Sequence, residues 1–190
     1  MRVAHSSACH AAFLVVLLVI QVTAMGFSSS ENLVPRMDPM LTNGTLTDNG
    51  DGTWNVTYAV DLDATLDSRN PMNPLGSLSH LEVGWDSNQQ DIRNSLLGFD
   101  LSSAGFPLNA TIESATLQLH LASSTGPVDA QAWNIHLQGW EIQYASWVNR
   151  NGASQWYQGG ALGNSDSGAK QDQQRVETNS SEVRFDITQS

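Results

Sequence analysis

The sequence contains little cysteine, little lysine and little positive charge. Its only cysteine is Cys9, near the N-terminus, and its only lysine is Lys170. Lys and Arg together number 8 against 19 Asp and Glu, which gives a formal net charge of −11. Because phosphate groups are bound by basic surfaces, this balance argues against a nucleic-acid partner. It also argues against an anionic membrane surface and, unless divalent cations bridge the charges, against an acidic glycan.

Long apolar runs are also scarce, since the chain has one, "AAFLVVLLVIQVTAMGF" from residue 11. Near its end, Val22-Thr23-Ala24 places small residues at the spacing that signal peptidases prefer. The run is close to the lower length limit for a helix that spans a bilayer. Residues 1–24, the leader, are therefore expected to form a helix that is either a cleaved signal peptide or a retained membrane anchor. Either one places the remaining chain outside the cell or at the cell surface, and loss of Cys9 leaves no thiol for a disulfide there.

After the leader, apolar and polar residues alternate and no helical stripe of apolar residues is found. Successive side chains of a strand point to opposite faces, so alternation indicates strands with one buried face. Asn49-Gly50-Asp51-Gly52 precedes the first alternating segment and suits a tight turn with positive φ, which predicts a hairpin. An irregular calcium site at this turn is the alternative. The alternating segments are 54–62, 115–121, 133–137 and 183–187.

The organisation of the chain follows from these segments. Residues 25–40 lack periodicity and carry Ser and Pro, which predicts a linker. Several short strands separated by turn residues predict that residues 41–190 form an all-β, antiparallel, jelly-roll-like β-sandwich. Within it, residues 159–181 are nearly free of large apolar side chains and are expected to form a long, mobile loop.

The stretch "RNSLLGFDLSS", residues 93–103, is expected to be a framework strand. Because side chains alternate along a strand, Leu97, Phe99 and Leu101 share one face, which is predicted to lie in the core. The other face carries Leu96, Gly98 and Asp100.

Five sequence blocks occur in an order that is similar to the DNRLRE domain family: "DATLDSRNPMNPLGSLSHLEVGWDS", "RNSLLGFDLSS", "NATIESATLQLHL", "WEIQYASWVNRNGASQW" and "EVRFDIT". The resemblance begins at about residue 60. It implies a secreted β-sandwich grouped with carbohydrate-binding modules, of the kind found in surface proteins and polysaccharide-degrading enzymes. Two features depart from the family. Gly98 stands where the family often has arginine, and the chain stops at Ser190, where the family continues into closing strands that are expected to be missing here.

Residues with catalytic or metal-binding patterns are few. No nucleophile elbow and no His-x-x-x-His pair is present, so the protein is predicted not to be an enzyme. Asp100 and Asp186 each follow a phenylalanine in separate predicted strands. They are interpreted as surface carboxylates, with a shared cation site, for example for Ca²⁺, as the alternative.

Aromatic residues are the best candidates for ligand binding, because exposed rings stack on the C–H faces of sugars. Trp156 and Tyr157 lie in a Gly- and Gln-rich stretch and are predicted to be an exposed pair. Arg150 and Gln155 are the candidate hydrogen-bond donors beside them. Among the other tryptophans, Trp133 is predicted to lie in the core, and Trp140 and Trp147 to belong to the framework.

Two functions from different classes remain open. The first is a noncatalytic extracellular carbohydrate-binding module, the front part of a larger polysaccharide-processing or surface protein, with a polysaccharide or cell-surface glycan as its partner. The second is a structural or adhesive spacer in a cell-surface protein, without glycan binding of its own. Fold resemblance alone does not separate them, whereas an exposed aromatic ring with polar neighbours favours the first.

Overall fold

The computed structural model describes the backbone of residues 9–24, and residues 44–76, 78–86, 91–101 and 110–188. These residues form ten β-strands, and every strand pair is antiparallel. The prediction of an all-β, antiparallel protein is therefore confirmed. Among the described residues, no helix is long and apolar enough to cross a membrane.

The strands form an eight-stranded sheet and a two-stranded sheet. The larger sheet has the order β10-β7-β1-β5-β6-β4, with β3 also paired to β1 and β2 paired to β3, and the smaller sheet is β8-β9. The strands are β1 Cys9–Ala24, β2 Gly44–Asp48, β3 Thr53–Ala59, β4 Leu62–Asp67, β5 Leu81–Asp86, β6 Asp91–Gly98, β7 Ala110–Ser124, β8 Val128–Ile135, β9 Ser167–Val176 and β10 Glu182–Asp186.

The apolar part of the leader is strand β1 in the structure, not the expected helix. One edge of β1 pairs with β7 over Ala11–Ala24. The other edge pairs with β5 over Cys9–Phe13 and with β3 over Leu17–Thr23. Its sequence is rich in β-branched residues, which favour strands because their side chains restrict the helical rotamers. Residues 9–24 of the leader therefore lie inside the larger sheet.

The hairpin at Asn49–Gly52 is confirmed by the pairing of β2 with β3, in which Asp48 lies opposite Trp54. Gly50 has φ 76°, a conformation that glycine adopts without steric cost. The turn is closed by aspartate side chains, since the Gly50 N–H donates to Asp48 Oδ1 over 2.8 Å. The Asp51 carboxylate accepts the Thr53 N–H in the same way.

Buried apolar residues form three clusters. The first combines residues of β5, β7 and β10 from the larger sheet with residues of β8 and β9 from the smaller sheet: Leu81, Leu117, Leu119, Val128, Ala130, Val176, Val183 and Phe185. The second joins β3 to β7 and contains Val56, Tyr58 and Ala115. The third joins β4 and β6 to the segment between β8 and β9 and contains Ala64, Leu66, Leu96, Ala145, Trp156 and Ala161.

Strand β6 packs against apolar clusters on both faces. Leu97 and Phe99 pack against the first cluster, as the alternation predicts. On the opposite face Leu96 is also buried, in the third cluster. At Gly98 a Cβ atom would lie 3.2 Å from Cζ2 of Trp140, so this ring occupies the space beside the glycine. The strand is framework on both sides because residues that follow β8 cover its second face.

The long, mobile loop expected at residues 159–181 is not what the structure shows. Ser167–Val176 is strand β9, which pairs with β8 through Val128 opposite Val176 and Gln131 opposite Gln173. Its sequence is polar because one of its faces is exposed, and Val176 is the residue that enters the core. Backbone pairing, not apolar content, defines this strand.

Candidate functional site

The predicted ligand-binding residues lie in the segment 140–161, which packs over β4 and β6. The segment has little regular secondary structure but many internal backbone hydrogen bonds. The Glu141 N–H donates to the Arg150 carbonyl over 3.1 Å, and the Trp156 N–H donates to the Val148 carbonyl over 3.0 Å. Such bonds hold the side chains of the segment in defined positions.

Trp156 is buried, with 6% of its surface exposed, which contradicts the prediction of an exposed ring. Its indole Nε1–H donates to the Ser146 carbonyl over 3.0 Å, so its polar atom is already paired. The ring packs in the third cluster with residues of β4 and β6, including Leu66 and Leu96. Because these neighbours come from distant parts of the chain, the polar local sequence gave no sign of them.

Tyr157 is exposed over 76% of its surface, in agreement with the prediction for this residue. Its backbone N–H donates to Oδ1 of Asp166 over 2.9 Å. The fully buried Asp166 carboxylate also accepts the N–H groups of Gln158 and Gly163. Tyr157 therefore projects from a braced turn, but Trp156 and Tyr157 do not form one exposed surface.

Arg150 has a structural contact that limits its use as a ligand donor. Its Nη1 donates to the Gln138 carbonyl over 3.1 Å, which ties the segment to the residues after β8. The side chain of Gln155 is exposed, and its backbone forms an isolated bridge with Asn149. Of these two predicted donors, Gln155 is the more accessible.

A shallow polar depression of about 520 Å³ lies beside Gln155. The sequence gave no prediction for its aromatic member, Tyr144, which is 46% exposed. Gly152 lies against this ring, since a Cβ atom there would be 3.2 Å from Cε2 of Tyr144. The depression is lined mainly by Tyr144, Asn149, Asn151, Gly152, Ser154 and Gln155.

The amide side chains of the depression differ in whether they are hydrogen-bonded within the protein. Asn151 is bonded within the protein, because its Oδ1 accepts the Ala153 and Ser154 N–H groups and one N–H of its Nδ2 donates to the Gly139 carbonyl. Within the described part of the chain, the side-chain amides of Asn149 and Gln155 have no protein hydrogen-bond partner. Each amide offers donors and an acceptor to a ligand.

Trp133 forms a second exposed aromatic surface, which contradicts the prediction that it lies in the core. It is 49% exposed, and its Nε1–H donates to Gln131 Oε1 over 3.2 Å. Gln131 Nε2 donates in turn to Gln173 Oε1 over 3.0 Å, and Lys170 Nζ donates to the same oxygen over 3.1 Å. We refer to Gln131, Trp133, Lys170 and Gln173 as the Trp133 face.

The residues before Trp133 indicate that its side chain faces outward, whereas the alternation with Ile135 and Leu137 after it suggested that it lies in the core. Val128 and Ala130 are buried, whereas Asp129 and Gln131 are exposed, so the odd-numbered residues of β8 face outward up to Trp133. The pairing with β9 then shifts register on both sides of Trp133. The apolar residues Val128 and Ala130, at even-numbered positions before Trp133, therefore indicate that the odd-numbered Trp133 faces away from the core.

The two aspartates proposed for a cation site have protein contacts. Asp186 Oδ1 accepts the Oγ1–H of Thr188 over 2.6 Å and its N–H over 3.0 Å, and these bonds lower the pKa of Asp186. The Asp186 N–H donates to Oδ2 of Asp172. The Asp100 N–H donates to Oδ2 of Asp61. No group of three His, Cys, Asp or Glu side chains suited to a metal ion occurs among the described residues.

The Tyr144 depression and the Trp133 face differ in shape and in the state of their amides. The depression is concave, and its Asn149 and Gln155 amides are unpaired, whereas the amides of the Trp133 face bond to one another. No family model, curated protein or solved structure matches this chain. The Tyr144 depression is therefore the stronger candidate site on its geometry.

Proposed function

We propose that this protein is a noncatalytic, extracellular carbohydrate-binding module of the DNRLRE type and that the Tyr144 depression is its sugar site. The observation that carries the proposal is the exposed Tyr144 ring beside the unpaired amides of Asn149 and Gln155. The five sequence blocks support the family, and a module of this kind serves as part of a larger polysaccharide-processing or surface protein.

A β-sandwich is the fold that we propose for this module. The first cluster supports it, since buried side chains from the eight-stranded and the two-stranded sheets pack together in one core. In a sandwich the loops and the outward faces of the strands are free for binding. The Tyr144 depression lies in such a connection, between β8 and β9.

The chemistry of the depression suits a neutral, hydroxyl-rich sugar. An aromatic ring stacks on the C–H face of a pyranose, and amides donate to and accept from its hydroxyl groups. The side chains that line the depression carry no charge, and Arg150 nearby is bonded to the Gln138 carbonyl. The net charge of −11 further disfavours an anionic glycan. We therefore propose a neutral polysaccharide as the ligand.

The test compares Tyr144→Ala with Tyr157→Ala on a panel of soluble and insoluble neutral polysaccharides. Stacking on a nucleobase is worth about 1–3 kcal/mol, and a loss of about 1.4 kcal/mol is about tenfold in affinity. We expect Tyr144→Ala to weaken binding about tenfold in affinity electrophoresis without a change in melting temperature. Tyr157→Ala is the matched control, since it removes an exposed tyrosine outside the depression.

Two results contradict this proposal in different ways. Equal binding by wild type and Tyr144→Ala moves the site elsewhere, first to Tyr157 or to the Trp133 face. Failure of the wild type to bind any polysaccharide in the panel favours the structural or adhesive spacer.

A further inference from the structure

Asn149 and Gln155 stand directly opposite each other in a short hairpin, where they form an antiparallel bridge. A backbone hydrogen bond lies on each side of this pair. The two bonds run from the Trp156 N–H to the Val148 carbonyl and from the Arg150 N–H to the Ser154 carbonyl, both over 3.0 Å. The pair therefore lies between two hydrogen-bonded positions, which makes it the closely spaced type of antiparallel pair.

The spacing of this pair brings two amide side chains together. In such a pair the Cβ atoms are about 4.5–5.5 Å apart and the side chains share one face. That face belongs to the Tyr144 depression, because both side chains line it. Among the residues that the structure describes, neither amide bonds to a protein group. The site therefore presents two neighbouring amides beside an exposed tyrosine ring.

The backbone that carries the two amides is held in place by buried residues. The Asn149 N–H donates to Oγ of Ser146 over 3.0 Å, and the Asn149 carbonyl accepts the Ser146 N–H over 2.9 Å. Ser146 is fully buried. Gln155 directly precedes Trp156, which is packed in the third cluster. Because the backbone is fixed before a ligand arrives, binding costs less conformational entropy.

The chemistry of two adjacent amides matches two adjacent hydroxyl groups. A primary amide carries an acceptor and a donor side by side, and each sugar hydroxyl also donates and accepts. When one of two adjacent oxygens carries a glycosidic bond, it becomes an ether oxygen, which only accepts. An amide carbonyl that faces this oxygen then lacks a donor, and a group left without its partner weakens binding.

We propose that Asn149 and Gln155 recognise a vicinal diol, two free hydroxyls on neighbouring carbons of one sugar residue, while Tyr144 stacks on the ring. This inference rests on the proposed sugar site. The depression is shallow, so it admits an internal residue of a chain. The substrate class is therefore a neutral 1,4-linked polysaccharide, in which every internal residue keeps the hydroxyls on carbons two and three. Within a 1,3-linked chain the free hydroxyls are not on neighbouring carbons.

The test uses depletion isotherms on matched pairs of neutral polymers that differ in linkage, 1,4- and 1,3-linked β-glucan and 1,4- and 1,3-linked β-xylan. We expect the wild type to bind a 1,4-linked polymer at least about tenfold more tightly than its 1,3-linked counterpart. Asn149→Ala and Gln155→Ala should each weaken binding to the 1,4-linked polymer about fivefold. The double variant should bind both linkages equally.

Gln158→Ala is the matched control, since it removes an exposed amide outside the depression and should leave the preference unchanged. A competition assay on the wild type tests the same contact without a variant. The methyl glycoside of the sugar that binds should displace the polymer. Its 3-O-methyl derivative, which has no two free hydroxyls on neighbouring ring carbons, should not.

Three results overturn the diol but leave the sugar site standing, provided that Tyr144→Ala still weakens binding. They are equal wild-type affinity for both linkages, a preference that persists in the double variant, and equal competition by the 3-O-methyl derivative. Failure of the wild type to bind any of the polymers, or equal binding by wild type and Tyr144→Ala, overturns the site at Tyr144 and this inference together.

Discussion

At the scale of the residue, exposure depends on the three-dimensional neighbours of a side chain and not on its neighbours in sequence. Trp156 and Tyr157 are adjacent, yet the first is 6% exposed and the second 76%. Leu66 and Leu96, which surround Trp156, come from β4 and β6. Trp156 therefore anchors the segment 140–161 to β4 and β6. Its buried ring is not accessible to a ligand.

Substitution of Trp156 is expected to affect stability. Trp156→Ala should lower the free energy of unfolding by about 3–5 kcal/mol, because it leaves a cavity and frees the Ser146 carbonyl. Tyr157→Ala, the control in the exposed neighbour, should change it by less than about 0.5 kcal/mol. Urea denaturation followed by fluorescence measures both values. Equal stability of the two variants would mean that Trp156 is not a core residue.

At the scale of the element, a single buried carboxylate organises the turn between the candidate site and β9. Asp166 accepts the N–H groups of Tyr157, Gln158 and Gly163 at 2.9, 2.9 and 3.1 Å. The Asp166 carbonyl accepts the His136 N–H, which joins the turn to the end of β8. Residues 159–166 are thus ordered by polar contacts, although they carry few large apolar side chains.

Asp166→Ala is expected to destabilise the protein more than Asp166→Asn. Alanine leaves three backbone donors without their acceptor, and each unpaired buried group costs about 1–3 kcal/mol. Asparagine keeps one carbonyl acceptor in the same volume. Hydrogen exchange should report faster exchange at Tyr157, Gln158 and Gly163, in the order wild type, Asp166→Asn, Asp166→Ala. Unchanged exchange in Asp166→Ala would contradict this role.

At the scale of the whole molecule, acidic side chains greatly outnumber basic ones, so most carboxylates have no basic partner. The buried carboxylates are stabilised through local hydrogen bonds and Arg93. Asp91 is 1% exposed and lies 3.3 Å from Arg93 Nη2. Arg93 Nη1 also donates to Glu82 in the neighbouring strand β5. Stability of the molecule should therefore depend on ionised carboxylates.

Acidification is expected to destabilise the fold, and Asp67 is the residue that tests this. Burial raises the pKa of Asp67, but hydrogen bonds from the Asn70 amide and the Arg69 N–H, a side-chain hydrogen bond with Asp91 and the charge of Arg93 outweigh it and hold the pKa below its usual range. Because the folded-state pKa is the lower one, this stabilisation is complete above the unfolded pKa and is lost as pH falls through the folded pKa. Urea midpoints should therefore fall below about pH 4, and the fall should be smaller in Asp67→Asn. An equal fall in both proteins would contradict the assignment.

Features that depend on local pattern were predictable from the residues alone. Alternation predicted strands at β3, β7 and β10, because a strand with one buried face has an apolar residue at every second position. Asn49–Gly52 predicted the hairpin, because the conformation of a tight turn depends on the turn residues themselves. The all-β class followed from these features together.

Which faces are covered depends on how the strands and connecting segments pack against one another. Trp156 is buried because β4 and β6 lie against it, and Trp133 is exposed because its side of β8 lies outside the core. The polar stretch Ser167–Val176 is a strand because β8 offers it backbone partners. Tyr144 became a candidate only through its position beside Asn149 and Gln155. The burial of Trp156 and the pairing of Ser167–Val176 depend on contacts between residues far apart in the chain, and local sequence patterns do not show such contacts.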